Sequence, residues 1–392
     1  MWQTGSLRVA RIGGIDIEIH ITFVLVILWG AWQGWAQYGR LTGALYGMLL
    51  MILLFVCILL HELGHGLQAR AFGLSVRRIT LLPIGGLAQL ESPPAYPLHE
   101  LTIALAGPLV NLGLALPLIF IAYLFQPFAI SNLIEQSKNL IFSSPPNITG
   151  LALYLFWSNL SLFAFNMIPA FPMDGGRVLR SGLALAIDYE IATRVAAWIG
   201  RLLAILMIII GLVGQLTGHP LSLLLVLFGF VVFFGAQQEE QYVRRQRALI
   251  RLEVSKLTRP SAEVIAPWDA ITGRLVAHLF RHEHALPVLV EGRLVGLLTY
   301  QDVRRAYSGG IDPSSTVAHV MRTTFPNVKL SDTLWVALQE MSSFQLAVLP
   351  VLEDGIFQGV ISLDDINHAW QFAGRQQRTT KAMPLSGDTA RQ

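Results

Sequence analysis

His61, Glu62 and His65 stand in the pattern His-Glu-Leu-Gly-His. Residues four apart share one face of a helix, so the two imidazoles can hold one zinc ion while Glu62 reaches a water at the same ion. That is the chemistry of metal-assisted hydrolysis. The motif closes a long apolar run that begins near Ala44. Two histidines and a glutamate are costly in hydrocarbon, so their partner there is a metal or an aqueous cavity. A second unusual stretch runs from Asn166 to Arg177 and holds Pro169, Pro172, Asp174 and the pair Gly175-Gly176. Prolines and paired glycines break a helix, and broken helices at membrane depth are tolerated where they line a cavity. An aspartate in that setting needs a cation. Gly107-Pro108-Leu109-Val110-Asn111 adds a proline, a small residue that lets another helix approach, and one polar side chain.

These groups must be positioned by membrane helices. Of 392 residues, 14% are charged and 53% hydrophobic, a membrane composition. The net charge of +3 is small, and its basic residues flank apolar runs, so they report topology and do not form a nucleic-acid surface. A single cysteine, Cys57, excludes an intrachain disulfide and a cysteine-based metal site. The first twenty residues alternate polar and apolar and lack the apolar core of a secretory signal, so the first span is expected to be retained.

Six apolar segments are predicted to span: Ile21 to about Trp35, Ala44 to Arg70, Leu101 to Phe125, Leu151 to Ile168, Ala196 to Leu216 and Leu221 to Ala236. Leu7 to Ile19, with Gly13-Gly14 at its middle, reads as a small surface hairpin. Leu81 to Ala88 is apolar yet contains Pro83, Gly85 and Gly86, and reads as a hairpin dipping back into the membrane. Ser131 to Asn147 reads as a polar loop, and a short helix is expected to reach Ile187. In a six-span arrangement Arg8, Arg11, Arg70, Arg77, Arg78, Arg177, Arg180, Arg244, Arg245 and Arg247 share one side, against Arg40 and Lys138 on the other. The positive-inside rule then makes both termini cytoplasmic, with His61 toward the cytoplasmic end of its helix.

Beyond a polar, helix-prone linker from Gln237 to Arg251, the chain repeats itself at an offset of 63 positions. Asp269 meets Asp332, Pro287 meets Pro350, Gly292 meets Gly355, Gly296 meets Gly359, Thr299 meets Ser362 and Asp302 meets Asp365, without a gap. Each copy reads as a helix, a strand ending in Pro-Val, a glycine turn, a second strand and a helix.

On His61 to His65, the Pro-x-x-Pro-x-Asp-Gly-Gly pattern of residues 169–176, Pro83 to Leu87 and Gly107-Pro108-x-x-Asn111, residues 1–240 resemble the site-2 protease family of intramembrane zinc metalloproteases. The resemblance implies His61, His65 and Asp174 as zinc ligands and Glu62 as the base, which leaves a fourth tetrahedral position open for water. It implies peptide-bond hydrolysis in or near the transmembrane helix of a single-span protein within the lipid bilayer, as in regulated intramembrane proteolysis. Asn111 and Asn166 are expected to donate to the substrate backbone or the oxyanion, and Gly85 and Gly86 to present a strand edge to an unwound substrate.

The C-terminal region resembles a tandem pair of CBS domains, with repeats at 253–310 and 311–375 joined by a linker at 241–252 and followed by a tail at 376–392 expected to be disordered. The resemblance implies an adenine nucleotide, ATP, ADP or AMP, with Asp302 and Asp365 on ribose and Thr299 and Ser362 on phosphate. It also implies a homo-oligomer through the CBS domains. The fold class expected is therefore a polytopic α-helical membrane protein plus a cytosolic α/β CBS pair, in a bacterial-type inner membrane. A CBS-gated metal-ion transporter or channel would explain the architecture, since intramembrane acids mark transport sites as well. It gives no reason for a base between two histidines.

Overall fold

The computed structural model describes residues 5–83, 85–90, 96–127, 132–138, 146–218, 222–260, 264–281, 285–310, 312, 315–344 and 346–371. The expected tail at 376–392 lies outside them. The chain divides into two compact units, Met1–Gln241 and Tyr242–Gln392.

All six apolar segments fold as helices: α1 (Phe23–Tyr38), α2 (Leu41–Ala71), α3 (Pro97–Phe125), α5 (Ile148–Asn166), α7 (Tyr189–Leu216) and α8 (Ser222–Ile250). Short α4 (Leu133–Lys138) lies in the expected polar loop, and α6 (Asp174–Ala184) follows the broken stretch. Five of the six are long and apolar enough to cross a membrane, and α1 differs. At 16 residues it is about 24 Å long, short of a hydrocarbon core of about 30 Å. Along α7, Leu202, Ile205, Leu206, Ile209, Ile210 and Val213 stay exposed, as lipid-facing side chains do.

Buried positions on α2 fall at Gly43, Gly47, Met51 and Phe55, then at His61, His65 and Ala69. Spacing by four makes each set one stripe. The first stripe meets α1 backbone to backbone. A Cβ on Gly34 or Gly47 would run into the carbonyl oxygen of Gly43 or Gly30 respectively, so two Gly-x-x-x-Gly pairs bring the axes together. Cys57 is buried and receives a hydrogen bond from Asn159 of α5 at 3.2 Å.

The two hairpins expected separately form one sheet. Strands β1 (Ser6–Ile12), β2 (Ile15–His20), β3 (Val76–Leu82) and β4 (Gly85–Leu90) lie in sequence order, with β2 and β3 parallel and the other pairs antiparallel. Gly13 and Gly14 both have positive φ, as the two-residue turn between β1 and β2 demands. β3–β4 is thus not a free-standing re-entrant hairpin, because β2 satisfies one edge of β3. Ile15 and Ile17 of β2 with Val76 and Ile79 of β3 pack on Leu63 and Ala69 of α2 and Ile103 of α3. Leu63 lies within the zinc motif, so this small core holds the motif helix against the sheet.

In the second unit each repeat supplies a hairpin, β5 (Ala285–Val290) with β6 (Arg293–Thr299) and β7 (Val348–Glu353) with β8 (Ile356–Ser362). Single parallel bridges add Ile265 to Val288 and Val328 to Val351, again 63 apart. Helices α9 (Gly273–Arg281), α10 (Tyr300–Ser308) and α11 (Leu334–Phe344), with helical residues 363–371, complete the two copies. The linker, expected to be helix-prone, is helical, since α8 runs through it to Ile250.

Candidate metal centre

Helix α2 presents His61 and His65, 6% and 9% exposed, on one face. Asp174 opens α6, and the chain before it folds back so tightly that a Cβ on Gly176 would lie 2.7 Å from the backbone of Ala170 and Phe171. The glycine pair is therefore what lets α6 begin against the broken stretch. The three side chains meet: the two Nε2 atoms are 3.1 Å apart, and each is 3.2 Å from Asp174 Oδ2. A tetrahedral zinc with bonds of about 2.0–2.1 Å separates its ligands by about 3.3 Å, so a triangle of this size fits the ion. Among the described residues this is the one group of three or more such side chains able to hold a metal.

The surroundings agree with a metal at Nε2. His65 Nδ1 lies 2.7 Å from the carbonyl of Ile103, which can only accept, so Nδ1 carries the proton and Nε2 keeps its lone pair. His61 Nδ1 lies 3.0 Å from the Asn111 carboxamide, whose Oδ1 is buried without a hydrogen-bond partner. A half-turn of that amide sets its oxygen on Nδ1, giving His61 the same tautomer as His65. Across the triangle is Gly107, where a Cβ would collide with His65 Nε2 and lie 2.8 Å from His61 Nε2. Any larger residue would occupy the centre.

The other expected residues separate into groups. Gly86, the second residue of β4, lies beside Glu62, because its Cβ would strike the Glu62 side chain, 3.0 Å from Oε1. Gly85 precedes it with a φ of 137°. Asn111 is fully buried against Nδ1 of His61, whereas Asn166 ends α5 half-buried. In the second unit Thr299 Oγ1 donates to Asp302 Oδ2 at 2.5 Å and accepts from its backbone N–H at 3.2 Å. Ser362 repeats both bonds with Asp365 at 2.7 and 3.1 Å. These hydroxyls thus cap their helices. Each aspartate also holds an arginine of the other repeat: Arg322 Nε lies 2.9 and 2.7 Å from the two oxygens of Asp302, and Arg259 pairs with Asp365. Sequence reading overlooked these arginines, although 259 and 322 differ by the same 63.

A helical unit that buries two histidines and a carboxylate beside a glutamate is a membrane-embedded metallohydrolase. A family model described as peptidase family M50 matches residues 49–210, and one for the CBS domain matches 274–309 and 317–371. The zinc metalloprotease MJ0392 of Methanocaldococcus jannaschii is 32% identical over 370 residues, covering 93% of this chain and 96% of that one. Stage IV sporulation protein FB of Bacillus subtilis is 30% identical over 164 residues, 42% of this chain and 46% of that one. The solved site-2 protease from M. jannaschii aligns at 36% identity and a TM-score of 0.40, over 60% of this chain and 95% of that one. The chain belongs to peptidase family M50, the site-2 proteases, and carries a CBS pair. It is a multi-pass membrane zinc metalloprotease.

Proposed function

We propose that the enzyme cleaves the transmembrane segment of a single-span membrane protein, in regulated intramembrane proteolysis, with His61, His65 and Asp174 holding the zinc. The observation that carries this reading is the ligand triangle, buried between α2 and α6 with Glu62 at its side. Bound there, zinc supplies Lewis acidity and lowers the pKa of water. Glu62 takes the proton from the attacking water and passes it to the leaving amine. A helical substrate shields its peptide bonds, so it must be unwound for attack. Strand β4 is at the sheet edge and starts beside Glu62, which supports pairing of the extended substrate there, with Gly86 keeping the approach open. Asn166, from the end of α5, serves the oxyanion.

Replacing Glu62 with Gln tests the core of this reading. The variant is expected to keep one zinc per chain and to lose cleavage of a model single-span substrate, while chelation abolishes and zinc restores cleavage by the parent. Cleavage by Glu62→Gln at the parent rate would refute the assignment.

The CBS pair, in this reading, faces the cytoplasm with both termini, forms homo-oligomers and admits an adenine nucleotide that alters cleavage. Asp302 and Asp365 must exchange their arginines for ribose hydroxyls when the nucleotide binds. In this reading the protein sits in a bacterial-type inner membrane, oriented by the charge bias of its loops.

A further inference from the structure

Arg180 is buried more deeply than a topology signal requires, at 4% exposed. Its Nε lies 3.0 Å from Glu100 Oε1, its Nη2 donates to the same oxygen, and its Nη1 donates to Glu239 Oε1 at 2.5 Å. The guanidinium carbon is 5.0 Å from the centre of the Phe171 ring and 5.1 Å from that of Tyr189. Charge taken out of water is retained at a cost, so what it holds is informative. Glu100 belongs to α3, Glu239 to α8 and Tyr189 to α7, while Phe171 lies in the broken stretch just before Asp174.

Two of these elements build the metal centre. α6 begins with Asp174 and carries Arg180. α3 carries Glu100 one turn before Ile103, the anchor of His65, and then Gly107 and Asn111. We infer that Arg180 is a positioning residue for Asp174: by tying α6 to α3 it sets the third ligand against the two histidines, and through Glu239 it makes that placement depend on α8. The inference rests on the reading of Asp174 as a zinc ligand. Only a planar fork reaches two carboxylates from between two rings, which a lysine cannot copy. α8 is held at consecutive residues, since Arg201 of α7 pairs with Glu240 at 2.7 Å, and the same helix runs on to Ile250 in the second unit. A displacement of α8 therefore reaches Asp174 by way of Arg180.

The test uses full-length protein and measures zinc release to a chelator, kcat and KM, and melting of the zinc-free form. Arg180→Met with Glu100→Leu replaces the buried pair by apolar volume, a change that commonly preserves folding. It is expected to release zinc about 10- to 100-fold faster, with kcat falling in step, KM unchanged and zinc-free melting retained. Arg180→Lys should show the same direction to a lesser degree, and so should Glu239→Gln. Parental zinc release in the double variant, or in Arg180→Lys if the double variant does not fold, overturns the inference. Parental release in Glu239→Gln alone overturns its α8 arm. Asp174→Ala separates the two levels: zinc retained there refutes the ligand reading itself, whereas zinc lost there but held by the Arg180 variants refutes only the positioning role.

Discussion

Asn111 shows how a buried amide can set the tautomer of a neighbouring histidine. It is fully buried, 3.0 Å from the nitrogen of His61 that points away from Asp174. Groups that fix the tautomer of a metal-bound histidine contribute about 10- to 100-fold to affinity or activity. Asn111→Leu is therefore expected to weaken zinc binding by about that factor, read by competition with a chelating dye, while KM at saturating zinc stays at the parental value. A raised KM with parental zinc affinity would return Asn111 to the substrate. The types and spacing of His61, Glu62 and His65 were legible because four residues on a helix is a local relation. The partner of Asn111 was not, since the contact spans fifty positions and joins two helices.

At the scale of elements, two features hold the motif helix. The first is the glycine contact between α1 and α2, at Gly30 and Gly34 against Gly47 and Gly43. Gly47→Leu would place a branched side chain against the Gly30 carbonyl and is expected to cost about 1–3 kcal/mol or more, as overpacking does. Thermal melting in detergent would measure it, and a parental melting temperature would show that the contact is dispensable. The second is the four-stranded sheet. Both hairpins were readable from local signals, alternation with a glycine turn for the first and Pro83, Gly85 and Gly86 in an apolar stretch for the second. The parallel pairing of Ile17 with Ile79 was not, because two helices separate the strands in sequence. α1, largely apolar but short, shows the limit of composition: apolarity announces a membrane helix, whereas its length is decided by where Gly39 turns the chain.

For the whole molecule, the 63-residue repeat has a consequence beyond two copies of one fold. A Cβ on Gly296 would strike Met321, and one on Gly359 would strike the backbone of Arg259, so each glycine makes room for a segment of the other repeat. Arg322 and Arg259 arrive on those segments to close over Asp302 and Asp365. A neutral nucleoside gains nothing from the arginine's charge and must still displace it. Arg322→Ala is accordingly expected to tighten adenosine binding, measured by isothermal titration of the full chain, and Asp302→Asn to abolish it at that site. Weaker adenosine binding in Arg322→Ala would mean that the arginine belongs to the binding site and does not cover it.

The sequence by itself determined the membrane class, the hydrolytic motif, the broken stretch holding Asp174, and the repeat. Each of these is written in neighbouring residues, in the period of a helix, or in a constant offset. Tertiary structure alone decided that Asp174 lies 3.2 Å from both histidines, that Asn111 backs His61, and that Arg180 joins α3, α6 and α8. The physical reason is that ligand geometry and buried charge pairing depend on distances between helices. Those distances follow from how glycines, prolines and side-chain volumes pack, and no local spacing encodes them.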